Sequence, residues 1–284
     1  MKEIPSHKLN LRNDIVYEVN SQTPFTGNEV QHYDTGEILF KACYKDGKRE
    51  GESISYYFSG QWDSKANYKK GQLNGPYEQY FENGQLNIKT TYKNNLKDAS
   101  YEEYYENGQL FEKCTYKNGL REGPYESYHD NRELEKEKGT YKNDKKDGPY
   151  QRYGENGELY LKGTYKNDKK DGPEEWYKNG QLRSKETYKN NKKDGPYEQY
   201  FENGELEMKR TYKNDKKDGP EEWYFENGEL KMKCTNKNDM QDGPEEWYYE
   251  NGQLKSKVTY KRDLRTGPTE HYDENGKQLK RKGT

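Results

Sequence analysis

Gly195-Pro-Tyr-Glu-Gln-Tyr-Phe-Glu-Asn-Gly-Glu-Leu-Glu-Met-Lys-Arg-Thr-Tyr-Lys-Asn-Asp-Lys-Lys-Asp218 recurs with small edits from near residue 27 onward. Its leading residue falls at Gly27, Gly51, Gly75, Ala99, Gly123, Gly148, Gly172, Gly195, Gly219, Gly243 and Gly267. The step is 24 residues, with one of 25 after Gly123 and one of 23 after Gly172. A fixed period of this size is the mark of stacked structural repeats, each of which buries its apolar surface only against its neighbours.

Counting the leading residue as position zero, an aromatic-rich run ends in Asn-Gly at positions eight and nine, and a second run follows. Asn-Gly between two strand-like runs predicts a hairpin with a two-residue type I′ turn, which needs positive φ at both central residues. It stands at Asn83-Gly84, Asn107-Gly108, Asn156-Gly157, Asn179-Gly180, Asn203-Gly204, Asn227-Gly228, Asn251-Gly252 and Asn275-Gly276. Pairing outward from Asn227-Gly228 sets Phe225 against Leu230, Trp223 against Met232 and Glu221 against Cys234 on one face. Tyr224 then meets Lys231, and Glu222 meets Lys233, on the other. The same register makes cross-strand ion pairs of Glu78/Lys89, Glu102/Lys113, Glu198/Lys209, Glu222/Lys233 and Glu246/Lys257, each contributing roughly 0.2–1 kcal/mol. Units with Tyr at position two carry a polar residue at four. Glu174, Glu221 and Glu245 instead stand at two, with Trp176, Trp223 and Trp247 at four, one pleat along the same face. The leading Gly lies across from the Tyr at position seventeen and leaves room for its ring.

Only 27% of residues are hydrophobic and 36% are charged, a balance that by itself suggests disorder. The 30 tyrosines at fixed positions argue for folded repeats instead, because turn chemistry, alternation and charge pairing all agree. Lys and Arg (50) nearly cancel Asp and Glu (52) and are interspersed, so no basic stripe points to nucleic acid. Cys43, Cys114 and Cys234 are too far apart for a metal cluster or a disulfide framework, and Cys114 and Cys234 read as small half-buried strand residues at position fifteen. No signal peptide or long apolar span is visible, which makes the cytoplasm the default location.

Residues 1–26 precede the repeats. Asp14-Ile-Val-Tyr-Glu-Val19 reads as one strand capping the first hairpin, and the polar residues 1–13 as a mobile leader. The repeats fill 27–279 without a linker, joined by short polar turns such as Asn214-Asp-Lys-Lys-Asp-Gly219, and 280–284 form a basic tail suited to an edge strand. The Gly123 unit has Asn131-Arg132 in place of Asn-Gly and an added residue near 133–138 that suggests a β-bulge. The Gly172 unit lacks one residue in its first strand. The fold class is therefore all-β, an extended, twisted, single-layer antiparallel sheet of about eleven hairpins, a ribbon on the order of 100 Å long.

No catalytic constellation emerges. Asn143-Asp-Lys-Lys-Asp-Gly148 has Lys where a calcium ligand belongs, and His7, His32, His129 and His271 share no ligand or triad spacing. Nothing reads as a phosphate-cradling loop. The expectation is a non-enzyme without cofactor, metal, nucleic acid or small-molecule substrate, which works by binding protein. Its partner-binding candidates are Trp223 and Trp247, about 10 Å apart on one face, then Trp176, turned differently on its shortened strand, with Phe225 and Tyr249 beside them.

The motif Gly-Pro-Tyr-Glu-x-Tyr-x-Glu-Asn-Gly-x-Leu-x-x-Lys-x-Thr-Tyr-Lys-Asn-Gly resembles the bacterial variant of the MORN repeat. The opening Ile15-Val-Tyr-Glu-Val-Asn-Ser-Gln-Thr-Pro-Phe-Thr-Gly27 is similar to the entry segment of YwqK-family antitoxins. The resemblance implies hairpins in a curved sheet, no cofactor, and a protein partner such as a secreted or contact-delivered toxin. The departure from the eukaryotic MORN pattern in Glu-Asn-Gly-x-Leu argues against membrane lipid binding, leaving a general or membrane-peripheral scaffold as the alternative.

Overall fold

A computed structural model describes residues 2–130 and 135–279. They are almost entirely β, with no α-helix and a single 3-10 turn, Ser6–Lys8. The chain divides into two compact units, Met1–Lys145 and Lys146–Thr284, each an open sheet whose successive strands pair antiparallel. Asn131-Arg132, residues 133 and 134 of the expected bulge and the basic tail 280–284 lie outside the described residues, and the rest of that stretch begins the strand Glu135–Lys142.

Unit 1 opens with β1 (Glu3–Pro5), β2 (Leu9–Arg12), β3 (Ile15–Glu18) and β4 (Gly27–His32). The leader expected to be mobile is thus mostly strand. Its β1 pairs in parallel with β4, through Ile4 opposite Glu29, because Ile4 drops into a buried cluster with Phe25, Ala42 and Tyr44. β2 and β3 form a hairpin of their own around Asn13 and Asp14, both at positive φ.

The repeats place their turns differently from the simplest reading of Asn-Gly. In the Gly219 unit Glu221, Glu222 and Trp223 face Cys234, Lys233 and Met232, as the pattern predicts. The register then shifts, and Tyr224 faces Leu230, so the expected pairs Phe225/Leu230 and Tyr224/Lys231 do not form. The loop is wider than two residues: the Gly228 N–H donates to the Phe225 carbonyl and the Phe225 N–H to the Glu229 carbonyl. Gly228 alone has positive φ there, 85°, so one left-handed residue closes the turn. Asn179-Gly180 is the exception, at φ 53° and 73°, with Lys178 facing Gln181. The residue that unit lacks is removed from its turn, not its strand, and the strand keeps its phase.

The type I′ turns lie instead between units. Asn94-Asn95, Asn167-Asp168, Asn190-Asn191, Asn214-Asp215 and Asn238-Asp239 all have positive φ at both residues. Asn and Asp tolerate that region because their side chains hydrogen-bond locally. Here those side chains also fasten the stack. Asp215 Oδ1 accepts from the Lys193 N–H at 2.7 Å, and Asp239 Oδ1 accepts from the Lys217 N–H at 2.7 Å, each 22 residues away. The segment after each turn is strand rather than loop, as in Lys216–Tyr224.

Alternation then gives the sheet in each unit two unequal faces. On the buried face Tyr at position two lies over the small residue at fifteen. A Cβ added to Gly163 would stand 2.8 Å from the Tyr150 ring, and one added to Gly139 would stand 2.8 Å from Tyr125. Fifteen is accordingly Ala, Thr, Cys, Val or Gly in most repeats, Glu186 and Arg210 being the exceptions, and Cys114 and Cys234 there are fully rather than half buried. The tyrosines at two and seventeen meet edge-on, Tyr77 with Tyr92 and Tyr101 with Tyr116 at 5.5 Å between centroids. Such pairs contribute about 0.5–1.5 kcal/mol beyond their area.

The leading Gly does face the Tyr at seventeen, as Gly195 faces Tyr212. Room for the ring is not its purpose. Its φ is 129°, and an added Cβ would meet the Thr187 side chain of the preceding unit at 3.0 Å.

The open face carries the charge. Glu78, Lys89, Glu102, Lys113 and Glu126 face one another in turn across five strands. Each Lys therefore has two carboxylates to choose from. Lys113 takes Glu126 (2.6 Å), Lys209 takes Glu222 (2.9 Å) and Lys233 takes Glu246 (2.8 Å), all in the following unit. Of the five pairs expected within one hairpin, Glu246/Lys257 closes at 2.8 Å. The ladder joins repeats more than it joins strands within a repeat.

Candidate functional site

In unit 2 the buried face carries one row in which Trp176, Ser184, Gln199, Met208, Trp223, Met232 and Trp247 stand opposite one another on successive strands. Trp223 and Trp247 flank Met232, two strand spacings or roughly 10 Å apart. Trp176 belongs to the same row four strands away and is not turned differently, because its unit was shortened in the turn.

Two of the indoles are held by the glutamates two residues before them. Trp223 Nε1–H donates to Glu221 at 2.9 Å, and Trp247 Nε1–H donates to Glu245 at 2.8 Å. Glu221 is itself buried and also receives Asn236 Nδ2 at 2.9 Å, with Arg210 and Lys217 at 3.4 Å. The Arg210 guanidinium lies 5.7 Å from the rings of both Trp223 and Tyr197. Trp223 is consequently wedged and half-buried, whereas Trp176 (38%) and Trp247 (37%) remain exposed. Trp176 also contacts the exposed Tyr160 at 6.1 Å.

Phe225 and Tyr249 do not join the row. Phe225 is part of a turn, with Lys231 Nζ 5.5 Å from its ring. Tyr249 donates its hydroxyl to the Tyr272 carbonyl at 3.0 Å, the same brace that Tyr33, Tyr57 and Tyr105 make to Tyr56, Tyr80 and Tyr128.

The sequence pattern set Met232 against Trp223 and placed Glu174 at position two, but gave no role to Tyr160 or to Glu186. The pairing with the next repeat adds Trp247 on the other side of Met232. The buried carboxylates Glu174 and Glu186 face each other across one strand pair. Lys170 reaches Glu174 at 2.7 Å and Lys193 reaches Glu186 at 2.6 Å, which compensates two like charges in a position that would otherwise be repulsive. Glu174 in the place usually held by Tyr was the available signal, with Glu186 at fifteen, where most repeats have a small residue.

The charged groups serve binding of neighbours within the sheet. Burial would raise the Glu246 carboxyl, but hydrogen bonds from Lys233, Lys257 and Tyr248 outweigh it and hold it down at about 2. Burial pushes the Cys114 thiol up to about 12 and the Cys234 thiol up to about 11. Among the described residues no three His, Cys, Asp or Glu side chains are grouped to hold a metal ion, and no helix is long and apolar enough to cross a membrane.

The model of the MORN repeat variant family matches residues 49–70, 73–94, 97–118, 146–167, 170–190, 193–214, 217–238 and 241–262. No curated protein matches the chain. Solved structures similar to it include a Photorhabdus luminescens Tc holotoxin pore, at 13% identity and TM-score 0.21 over 94% of this chain and 15% of that one. A TcdB2–TccC3 complex with Cdc42 is similar at 12% identity and TM-score 0.20, over 93% of this chain and 16% of that one. The chain thus spans about 15% of the length of the first of these.

Proposed function

The chain belongs to the MORN repeat variant family, whose repeats generally mediate protein interactions, and from that premise we propose an antitoxin that neutralises a toxin by binding it. The observation that carries a protein-binding reading is the tryptophan row. Exposed indoles whose N–H groups are already fixed, as in Trp247, lose little freedom when a partner covers them. Tryptophan is also the residue most enriched among interface anchors. Nothing in the row supplies a nucleophile with an adjacent base, so the proposal is sequestration without catalysis, in the cytoplasm.

The experiment is capture of bound proteins on the tagged chain in its native cell, then titration of the captured partner against Trp223→Ala and Trp247→Ala. Each folded variant is expected to lose about 2 kcal/mol of binding, roughly thirtyfold in affinity. Co-expression should then relieve growth inhibition by the partner. Parent-like affinity in both variants would refute the anchors. A partner that is not toxic would refute the antitoxin reading and leave a scaffold, and retention of anionic vesicles instead of protein would make that scaffold membrane-peripheral.

A further inference from the structure

The open face of unit 1 breaks its own rule in one place. Lys41 and Lys65 stand on the two strands that flank Ile54, in the row where most repeats alternate Lys with Glu and the Gly148 repeat has the polar Gln151 opposite Lys162. Beyond Lys41 the row ends in Val30. Two consecutive repeats therefore supply lysines without the intervening glutamate, and neither ammonium has an ion-pair partner within 4.0 Å among the described residues.

What belongs in that gap can be read from the complete version of the motif. Glu246 stands where Ile54 does and is bridged by Lys233 and Lys257, one from each flanking strand, at 2.8 Å each. Tyr248, two residues on, donates its hydroxyl to the same carboxylate at 2.6 Å. Tyr56 holds the corresponding place after Ile54. Lysine, tyrosine and lysine are thus arranged around a carboxylate that this chain does not provide.

Beside the gap the surface is aromatic. Trp62 is 46% exposed, with Lys65 Nζ 2.9 Å from its ring centroid. Phe58, 58% exposed, lies edge-on to Tyr33 at 5.4 Å. Trp62 occupies position eleven, where most units have Leu, so the indole is an addition to the repeat and not one of its requirements.

We propose that this gap is a docking site for an acidic segment of a partner protein. One carboxylate of the segment takes the place of the missing glutamate between Lys41 and Lys65, and an adjacent apolar side chain packs on Trp62. The spacing selects this occupant. Two ammonium groups two strands apart, one on either side of Ile54, accommodate a single carboxylate, while farther along the row most lysines alternate with glutamate, beginning with Glu78 opposite Lys65. A nucleic-acid backbone or an anionic bilayer gains its affinity from many cations in a patch and would meet alternating signs here. The site lies on the open face of unit 1 and is independent of the tryptophan row.

The test is fluorescence anisotropy of a labelled poly-glutamate peptide titrated with the full chain at low ionic strength. Saturable binding that weakens as salt is added is the expected result. Ile54→Glu completes the ladder, so it should fold at least as stably as the parent and bind the peptide about tenfold or more weakly. Trp247→Ala should bind the peptide like the parent, which separates this site from the tryptophan row. If Ile54→Glu does not fold, the double variant Lys41→Gln/Lys65→Gln carries the comparison, with the same loss expected. Absence of saturable binding, parent-like binding by the folded variant, or preference for a single-stranded oligonucleotide or phosphatidylserine vesicles over the peptide would each overturn the proposal.

Discussion

Replacing Ala99 with Gly should stabilise the protein. Ala99 holds the leading position of its repeat, where the other residues are Gly, and its φ is 105°. A side chain in so sparsely populated a region costs of order 1–3 kcal/mol. Glycine gives back roughly 0.4–1 kcal/mol through the greater freedom of the unfolded chain. The difference is a gain of about 1 kcal/mol. With a urea dependence of about 2–3 kcal/mol per molar, that raises the unfolding midpoint by roughly 0.3–0.5 M. Gly51→Ala is the mirror experiment. Gly51 has φ 87°, and an added Cβ would meet nothing within 4 Å, so the substitution isolates the backbone term from any clash. It should lower the midpoint by a similar amount, and Ala99→Gly/Gly51→Ala should return close to the parent. A neutral Gly51→Ala, or a destabilising Ala99→Gly, would refute the claim that the leading glycine is kept for its φ.

Three further outcomes are expected. Asp239→Ala removes the acceptor of the Lys217 N–H and puts Ala at φ 69°, so it should cost about 1.5–3 kcal/mol in urea unfolding, while Asp239→Asn should cost little. Glu246, held down at about 2 from an ordinary 4.5, contributes stability that is fully present above its unfolded value and is lost as pH falls through the folded one. Stability should therefore decline between about pH 4.5 and 2, and Glu246→Gln should flatten that decline in pH-dependent unfolding. Cys114 and Cys234, buried with raised thiols, should react with a thiol reagent far more slowly than the half-buried Cys43 in the native protein, and all three at similar rates in urea.

The sequence alone determined the period, the all-β class and most of the pairing within each repeat, because these follow from local alternation and from turn residues a few positions apart. Glu222 opposite Lys233 and Trp223 opposite Met232 were legible for that reason. What it did not determine are choices between alternatives that look alike in one dimension. Asn-Gly and Asn-Asp both tolerate positive φ, and the count of residues between paired strands decided that the tight turns fall at Asn214-Asp215 and not at Asn203-Gly204. Lys209 sees Glu198 on one side and Glu222 on the other, and only side-chain placement in three dimensions gave it to the next repeat. Burial was decided in the same way. Whether Trp223 is wedged and Trp247 open, or whether Ile54 leaves two lysines facing a gap, depends on which side chains from neighbouring strands lie over each site. Those neighbours are some 24 residues away in sequence, so their coverage is a property of the stacked sheet and not of any one repeat.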